Sequence, residues 1–165
     1  MRLVRRLLPL LAATLVTAPV FAQDPVTASS TPPAELAKSS DKKLEANKML
    51  ALNIRREVLE ARHVESVDKY YAPGLIQHNP TFGNGLEAMK QAIGRGGPPK
   101  DIQPTVQGRI TALIAEGDLV VVISPRELTD PKDPSKKYTT AGFDMYRIQG
   151  GKVVEHWDAA VKTAN

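Results

Sequence analysis

The chain has 165 residues, no cysteine and a formal net charge of +4, from 22 Lys and Arg against 18 Asp and Glu. The absence of cysteine excludes disulfides, cysteine-ligated metal sites and a thiol-linked lipid anchor. Three of the arginines fall within the first six residues, and the remaining chain is nearly neutral and poor in aromatic residues, which argues against a nucleic-acid partner.

The first 22 residues have the pattern of a secretory signal peptide. A basic start is followed by an apolar run from Leu7 to Val20, and small residues frame a cleavage site after Ala22. The run is shorter than the ~20 apolar residues of a membrane span, so we predict cleavage, no stable span afterwards and a periplasmic or secreted protein. A retained anchor at the same residues is the alternative. Removing 22 of the 165 residues, with their three arginines, leaves 143 residues and a charge of +1.

Residues 23–40 are rich in proline, serine, threonine and alanine and contain few large apolar side chains. This composition predicts a disordered linker. The folded domain is therefore expected at residues 41–165, a length that suits one domain with its own core.

Three helices are predicted in the first half of this domain. The longest runs from Asp41, as N-cap, to Arg62 and carries one apolar stripe. A shorter helix covers residues 64–71 and ends at Pro73-Gly74. The third begins at a capping-box-like pattern with Asn84 as its N-cap.

The second half of the domain has the period of β-strands. Residues 105–115 alternate, residues 119–123 are a continuous apolar run, and residues 138–149 and 152–161 are predicted as two strands joined at Gly150-Gly151. Helices followed by strands predict an α+β domain with an antiparallel sheet.

Unusual polar residues concentrate in three places, which are Gln77-His78-Asn79, Asp144 and Glu155-His156-Trp157-Asp158. Aspartate is depleted in strand interiors, and burying an unpaired carboxylate costs several kcal/mol. These side chains therefore either face solvent on an open sheet face or form a paired cluster. For His78 alone, a hydrogen-bonded loop histidine is the simpler interpretation.

The register of the hairpin at Gly150-Gly151 decides which of these side chains meet. A two-residue turn would place Asp144 opposite Trp157, and a three-residue loop would place Asp144 opposite His156. We predict the three-residue loop, because it separates polar from apolar side chains. Its polar face carries Asp144, Tyr146, His156 and Asp158. A histidine between two carboxylates could move protons near neutral pH.

The same residue types also allow a metal site, in which His78, Asp144, His156 and Asp158 would supply a facial triad of ligands. No tightly spaced ligand pair supports it, so we predict no metal. The sequence has no glycine-rich phosphate loop at the start of a helix and no nucleophile-elbow serine, and we expect no cofactor.

Five segments together resemble, in order and spacing, the SnoaL-like polyketide cyclase group of the nuclear-transport-factor-2-like superfamily. They are Pro73–Pro80, Gly85–Ala88, Glu116–Val120, Phe143–Arg147 and Gly151–Asp158. The resemblance covers Leu44 to Val161. It implies the cone-shaped, cystatin-like α+β barrel of that superfamily, in which a strongly curved antiparallel sheet wraps around a long N-terminal helix.

The resemblance also implies roles for individual residues. Asp158 matches the aspartate that serves as acid/base in the cyclases, Asp144 matches a second polar pocket position, and a residue near Gln77 lines the pocket. Asp144-Met145-Tyr146-Arg147 is similar to the steroid isomerase motif with an oxyanion-stabilising acid. The candidate catalytic residues are thus Asp158, Asp144 and His156, and the candidate substrate-binding residues are Gln77, His78, Asn79 and Tyr146.

Three functional hypotheses follow from these residues. The first is an acid/base enzyme for a small enolisable carbonyl compound, acting by aldol-type cyclisation, isomerisation or dehydration. The second is a non-catalytic domain that binds a small ligand or a partner. The third, compatible with both, is a homodimer through the other sheet face, where Phe143, Met145 and Trp157 would otherwise be exposed.

Overall fold

The computed structural model describes residues 24–160. The predicted signal peptide, residues 1–22, lies outside the described residues. Within the described part, no helix is long and apolar enough to cross a membrane.

All the helices precede β2, and β1 lies between α3 and α4. The helices are α1 (Pro33–Ala37), α2 (Lys42–Asn53), a π-helix (Ile54–Glu60), a 3-10 helix (Val64–Ser66), α3 (Val67–Tyr70) and α4 (Leu86–Gly94). The strands are β1 (Tyr71–Gln77), β2 (Ala112–Glu116), β3 (Leu119–Thr129), β4 (Lys137–Gln149) and β5 (Lys152–Asp158).

The long predicted helix begins as expected and then changes its geometry. The Asp41 carboxylate accepts hydrogen bonds from the backbone N–H groups of Lys43 and Leu44, at 2.8 and 3.2 Å, which confirms the N-cap. From Ile54 the chain continues as a π-helix to Glu60. The two parts together bury an apolar stripe against the sheet: Ala51, Leu52, Ile54 and Val58.

The segment predicted as a disordered linker is instead packed on the domain over residues 24–40. The Ser29 N–H donates to the Ile110 carbonyl at 2.8 Å, and the Thr111 hydroxyl donates to the Thr27 carbonyl at 2.7 Å. α1 buries Ala37, which is 1% exposed. The composition alone suggested too little apolar surface for order, whereas hydrogen bonds to the backbone of the segment and the burial of Ala37 hold it in place.

The five strands form one curved mixed sheet in the order β1-β5-β4-β3-β2. β2 to β5 are antiparallel neighbours, as predicted, and β1 adds a strand that runs parallel to β5. The sequence predicted only a short extended piece there. Pro73 is tolerated inside β1 because this strand lies at the edge of the sheet. The α+β fold class is confirmed.

The hairpin between β4 and β5 follows neither predicted register throughout. Gly150 and Gly151 form a two-residue turn with φ of 56° and 74°, and Gln149 pairs with Lys152. Val154 then has no partner, because Ile148 pairs with Val153 and Arg147 with Glu155. This β-bulge shifts the remaining pairs, which are Tyr146 with His156, Met145 with Trp157 and Asp144 with Asp158.

The bulge preserves the predicted separation of faces although the predicted pairs were wrong. A one-residue shift turns every following side chain to the other face. The turn and the bulge together therefore leave Asp144, Tyr146, His156 and Asp158 on the face that packs toward the helices. The apolar core lies on this inner face, with Val120, Val122, Tyr146 and Val153 at most 2% exposed.

Candidate active site

Three ionisable side chains meet at one end of the inner sheet face. Asp144 comes from β4, and His156 and Asp158 come from β5. One oxygen or nitrogen atom of each lies within 4.8 Å of the others. Asp144 and Asp158 are direct cross-strand neighbours, an arrangement in which like charges repel. The imidazole beside them can offset that repulsion when it carries a proton.

His156 is held in one orientation by Gln77. The parallel pairing of β1 with β5 places Gln77 beside His156, and Nδ1 lies 2.8 Å from the Gln77 Oε1. The Asn79 backbone N–H also donates to this Oε1, at 3.3 Å, which identifies it as the amide oxygen. The Nδ1 of His156 therefore carries a hydrogen and donates it to Gln77.

The other ring nitrogen of His156 faces a carboxylate. Nε2 lies 3.3 Å from Oδ1 of Asp144. Because Nδ1 is the donor to Gln77, a hydrogen bond here needs one further proton, carried either by Nε2 or by the Asp144 carboxyl group. His156 is 6% exposed and the Asp144 side chain is 20% exposed. A proton between Nε2 and Oδ1 would lie where solvent can reach it through Asp144.

Asp158 is fixed by donors on both oxygens. The Asn79 side-chain amide donates to Oδ2 at 2.6 Å, and the Ala160 N–H donates to Oδ1 at 2.9 Å. Asn79 is itself held, since its Oδ1 accepts from the backbone N–H and the hydroxyl of Thr81. Each carboxylate oxygen keeps a further lone pair free, so Asp158 can accept a proton without losing its orientation.

Two buried tyrosines surround the pair of His156 and Asp144. The Tyr146 ring stacks on His156 with ring centres 5.0 Å apart. Burial raises the pKa of Tyr146 well above its ordinary value, and the negative charge of Asp144 raises it further. Burial and Asp144 also raise the pKa of Tyr71. Both phenols therefore stay protonated, and a protonated phenol can donate a hydrogen bond to an oxyanion.

The structure does not bring His78 to this cluster. Its side chain points to the outer sheet face, where its ring stacks on Trp157 at 4.6 Å between centres and 3° between planes. Its backbone N–H donates to the His156 carbonyl at 2.9 Å. Neighbouring residues of an extended chain point to opposite faces, so Gln77 and Asn79 face inward and His78 faces outward.

Gln77 and Asn79 are buried supports of the site and not its open surface. They are 9% and 5% exposed, and their side chains are occupied by His156 and Asp158. Asn84 does not cap α4 as predicted, because Gly85 is the N-cap and the Asn84 Oδ1 accepts the Gln77 N–H at 2.8 Å. The loop after β1 is thereby tied to the back of the site.

The cavity in contact with this cluster is shallow and mostly apolar. It has a volume of about 290 Å³ and touches Asp158 alone of the three ionisable residues. Its lining lies otherwise on the outer face and at the end of β5: Val121, Phe143, Met145, Trp157 and Ala159. The polar cluster and this apolar depression thus meet at Asp158.

Asp144, His156 and Asp158 are also the described residues that could hold a metal ion. Two carboxylates and one imidazole nitrogen are suitable ligands for a divalent cation, and the Gln77 contact fixes the imidazole in the required tautomer. His78, which the sequence analysis named as a fourth candidate ligand, points away from these residues and cannot be a ligand with them. That the protein uses no metal stays a prediction.

Sequence reasoning missed two arginines near the cluster. Arg55, on the π-helix, donates to the Ser124 hydroxyl at 2.9 Å and so reaches the inner face of β3. Arg126 follows Ser124 on the same face of that strand. The alternation of β3 could have revealed Arg126, but the predicted strand covered only the apolar run at residues 119–123. In fact Pro125 pairs with Ala141, and β3 continues to Thr129.

A family profile described as a SnoaL-like domain matches residues 55–156, more than half of the chain. The match includes Gln77, Asn79, Asp144 and His156, and it ends two residues before Asp158. No curated protein matches the chain.

Several solved structures are similar to this one. A protein from Acidithiobacillus ferrooxidans, described as a candidate polyketide cyclase, has a TM-score of 0.51 and 23% identity over 73% of this chain and 89% of its own. A candidate SnoaL-like polyketide cyclase from Mesorhizobium loti has a TM-score of 0.45 and 15% identity, over 72% of this chain and 98% of its own. An NTF2-like protein of unknown function from Burkholderia pseudomallei has a TM-score of 0.47 and 19% identity, over 70% of this chain and 91% of its own. At these identities the likeness concerns the fold alone.

Proposed function

Because the chain belongs to the SnoaL-like domain family of the nuclear-transport-factor-2-like superfamily, we propose that it is an acid/base enzyme for a small enolisable carbonyl compound. The observation that carries this proposal is the convergence of Asp144, His156 and Asp158 within 4.8 Å on one sheet face. Cyclisation, isomerisation and dehydration of such compounds can begin with the same step, the removal of a proton next to a carbonyl group.

Asp158 is the base in this proposal. Its carboxylate takes the proton from the carbon, and the electron pair of the broken C–H bond moves onto the carbonyl oxygen as an enolate. The hydrogen bonds from Asn79 and Ala160 hold the carboxylate in place during this transfer. Fixed orientation matters because a base must lie within hydrogen-bond reach of the proton that it removes.

The pair of Asp144 and His156 is the acid. It carries one proton between Nε2 and Oδ1, and it donates this proton to the enolate oxygen that forms. As the carbonyl group re-forms, the enol oxygen returns its proton to the pair. The electron pair of the enol then forms a bond to a second carbonyl carbon, takes up a proton at another carbon, or expels a leaving group. Asp158 gives its proton to the new alkoxide, to that carbon or to the leaving group, respectively. These three outcomes correspond to cyclisation, isomerisation and dehydration. The buried Tyr146 phenol, which stacks on His156, is a second donor for the enolate.

A non-catalytic role in binding is the second candidate function, and one observation favours it. The cavity beside the cluster is shallow and mostly apolar, and of the three ionisable residues it touches only Asp158. A domain that binds an apolar ligand there would need no proton transfer.

Exchange of carbon-bound hydrogen separates the two functions. In D2O, an enzyme of the proposed kind should incorporate deuterium next to the carbonyl group of enolisable ketones, as followed by proton NMR. Asp158→Asn should slow this exchange at least 100-fold, the usual lower size of a general-base contribution. Asp133→Asn, in an exposed loop, is the matched control. Equal rates for Asp158→Asn and the control would refute the catalytic role. EDTA should leave the rate unchanged, since the mechanism uses no metal.

The proposal also includes export and self-association. The basic and apolar leader supports export to the periplasm or outside the cell, and N-terminal sequencing of the processed protein should find a cleavage after Ala22. The outer sheet face supports a homodimer, because Phe143 is 43% exposed there beside Trp157 and Met145.

A further inference from the structure

Arg126 lies on the same sheet face as the candidate active site. β3 buries Val120, Val122 and Ser124 on its inner face, and Arg126 is the next residue of that series. On the neighbouring strand Ser124 pairs with Gly142, and Asp144 is the next inner residue after Gly142. The backbone of Arg126, which pairs with Thr140, therefore lies two inner-face positions along the sheet from Asp144.

Gly142 makes room for the Arg126 side chain. Gly142 is buried in the middle of β4, and its φ is not among the positive values that would require glycine. A β-carbon at this position would lie 2.8 Å from Cζ of Arg126, closer than side-chain carbons come in proteins. The guanidinium group thus lies directly across the bare backbone of Gly142. A glycine inside a strand is typical of such a close approach.

The charge of Arg126 has no acidic partner in the part of the chain that the structure describes. Two nearby pairs of charged groups are occupied with each other: Glu127 with Lys137, and Arg55 with Glu60. Arg126 itself forms no ion pair and no side-chain hydrogen bond among residues 24–160. A planar guanidinium group is suited to bind a carboxylate with two parallel hydrogen bonds.

The distance between the Arg126 guanidinium group and Asp144 suits the two ends of one small substrate. Side chains two residues apart on one strand face are separated by roughly 7 Å, so the guanidinium group over Gly142 lies about that far from Asp144. We propose that Arg126 binds a carboxylate group of the substrate, several bonds away from the carbon that loses its proton. The inference rests on the proposed function and specifies its substrate class, which is an enolisable ketone that also carries a carboxylate.

Levulinate and its methyl ester are the probes that test this inference. Both have the same ketone, and only levulinate carries a carboxylate, at a distance of a few bonds from the enolisable carbons. NMR titration of the purified protein should give at least tenfold tighter binding of levulinate than of the ester, because a hydrogen bond between charged groups contributes about that much. Arg126→Gln should remove this preference and leave binding of the ester within about twofold.

Gly142→Ala separates the position of the charge from its presence. The added methyl group would displace the guanidinium group while the arginine remains, so the preference for levulinate should fall as in Arg126→Gln. Arg95→Gln, which removes an exposed arginine after α4, is the matched control and should keep the preference. Circular dichroism of each variant verifies that the fold is retained.

The outcomes of these titrations and of the exchange assay are distinguishable. Equal or undetectable binding of the acid and the ester by the wild type would overturn the inference, and so would the same loss in Arg95→Gln. Exchange that depends on Asp158 would then still support the proposed function. Conversely, a preference that depends on Arg126, without deuterium exchange in any assay, would refute the catalytic function and retain the carboxylate site.

Discussion

At the scale of single residues, the chemistry of the site depends on which partner each polar atom has. His156 can hold a transferable proton at Nε2 because Gln77 binds its Nδ1–H. Asp158 keeps its orientation because Asn79 and a backbone N–H bind its two oxygens. Without these partners the same three ionisable groups would repel or rotate. The side-chain amides of Gln77 and Asn79 therefore determine which ring nitrogen of His156 carries a hydrogen and how Asp158 is oriented.

Replacing Gln77 tests this control of the tautomer. In the wild type, nitrogen NMR should show His156 with a hydrogen on Nδ1. Gln77→Met keeps the volume and removes the acceptor, so the Nδ1 proton should exchange rapidly and the protein should lose about 1–3 kcal/mol of stability. Gln91→Met, on the exposed face of α4, is the control and should change neither property. An unchanged His156 spectrum in Gln77→Met would contradict the assignment.

Tyr146 gives a prediction on pH. Burial raises its pKa above the value of about 10 that it has in the unfolded chain. Above that pH the folded state therefore keeps a proton that the unfolded state loses. This contribution to stability is complete below about pH 10 and is lost as the pH rises toward the folded pKa. Chemical unfolding should show a fall in stability as the pH rises above about 10. The fall should be smaller in Tyr146→Phe, and an identical fall would refute the assignment.

At the scale of elements, two connections position the site. The β-bulge at Val154 turns His156 and Asp158 to the inner face, and the parallel pairing of β1 with β5 brings Gln77 beside His156. The π-helix after α2 places Arg55 within reach of Ser124 on β3. Irregular pieces of helix and strand, which are frequent near functional sites, thus orient the polar residues here.

The segment before α2 is an element whose contribution can be measured. Ala37 in α1 is 1% exposed, so Ala37→Asp would bury an unpaired carboxylate and should lower the free energy of unfolding by about 2 kcal/mol or more. Ala34→Asp lies in the same short helix at an exposed position and should cost less than about 0.5 kcal/mol. Denaturant titration of both variants measures the difference. Equal stabilities would show that the segment is not packed in solution.

At the scale of the whole molecule, the sheet separates two surfaces with different chemistry. Its inner face carries the core and the ionisable cluster. Its outer face exposes Ile76, Ile114 and Phe143, each more than 40% accessible. An apolar face of this kind on a protein of this size is typical of an interface.

The homodimer proposed for the outer face has a direct test. Light scattering coupled to gel filtration should find the mass of two chains for the wild type and of one chain for Phe143→Asp, because the substitution puts a charge into the apolar interface. Tyr138→Asp is the matched control, since Tyr138 lies on the same strand, faces the other way and is 40% exposed. A monomeric wild type, or dissociation of both variants, would contradict the proposed interface.

The separation of faces in the β4–β5 hairpin shows how far sequence reasoning reached. The order of the main helices and of strands β2 to β5, the N-cap at Asp41 and the polar face with Asp144 and His156 could all be predicted. The partners of those residues could not, because the turn contributes two residues and the bulge one more. The prediction that residues 23–40 are disordered and the inward position of His78 were likewise local interpretations that tertiary contacts changed.

The sequence by itself determined the α+β order of elements, the family to which they belong and the set of polar residues available for chemistry. These properties are local, since they follow from hydrophobic period, turn residues and short motifs. Only the tertiary structure decided that Gln77 meets His156, that His78 stacks on Trp157 outside the site, and that Arg126 lies over Gly142. Such contacts join residues far apart in the chain, and a single bulge can turn a side chain to the other face.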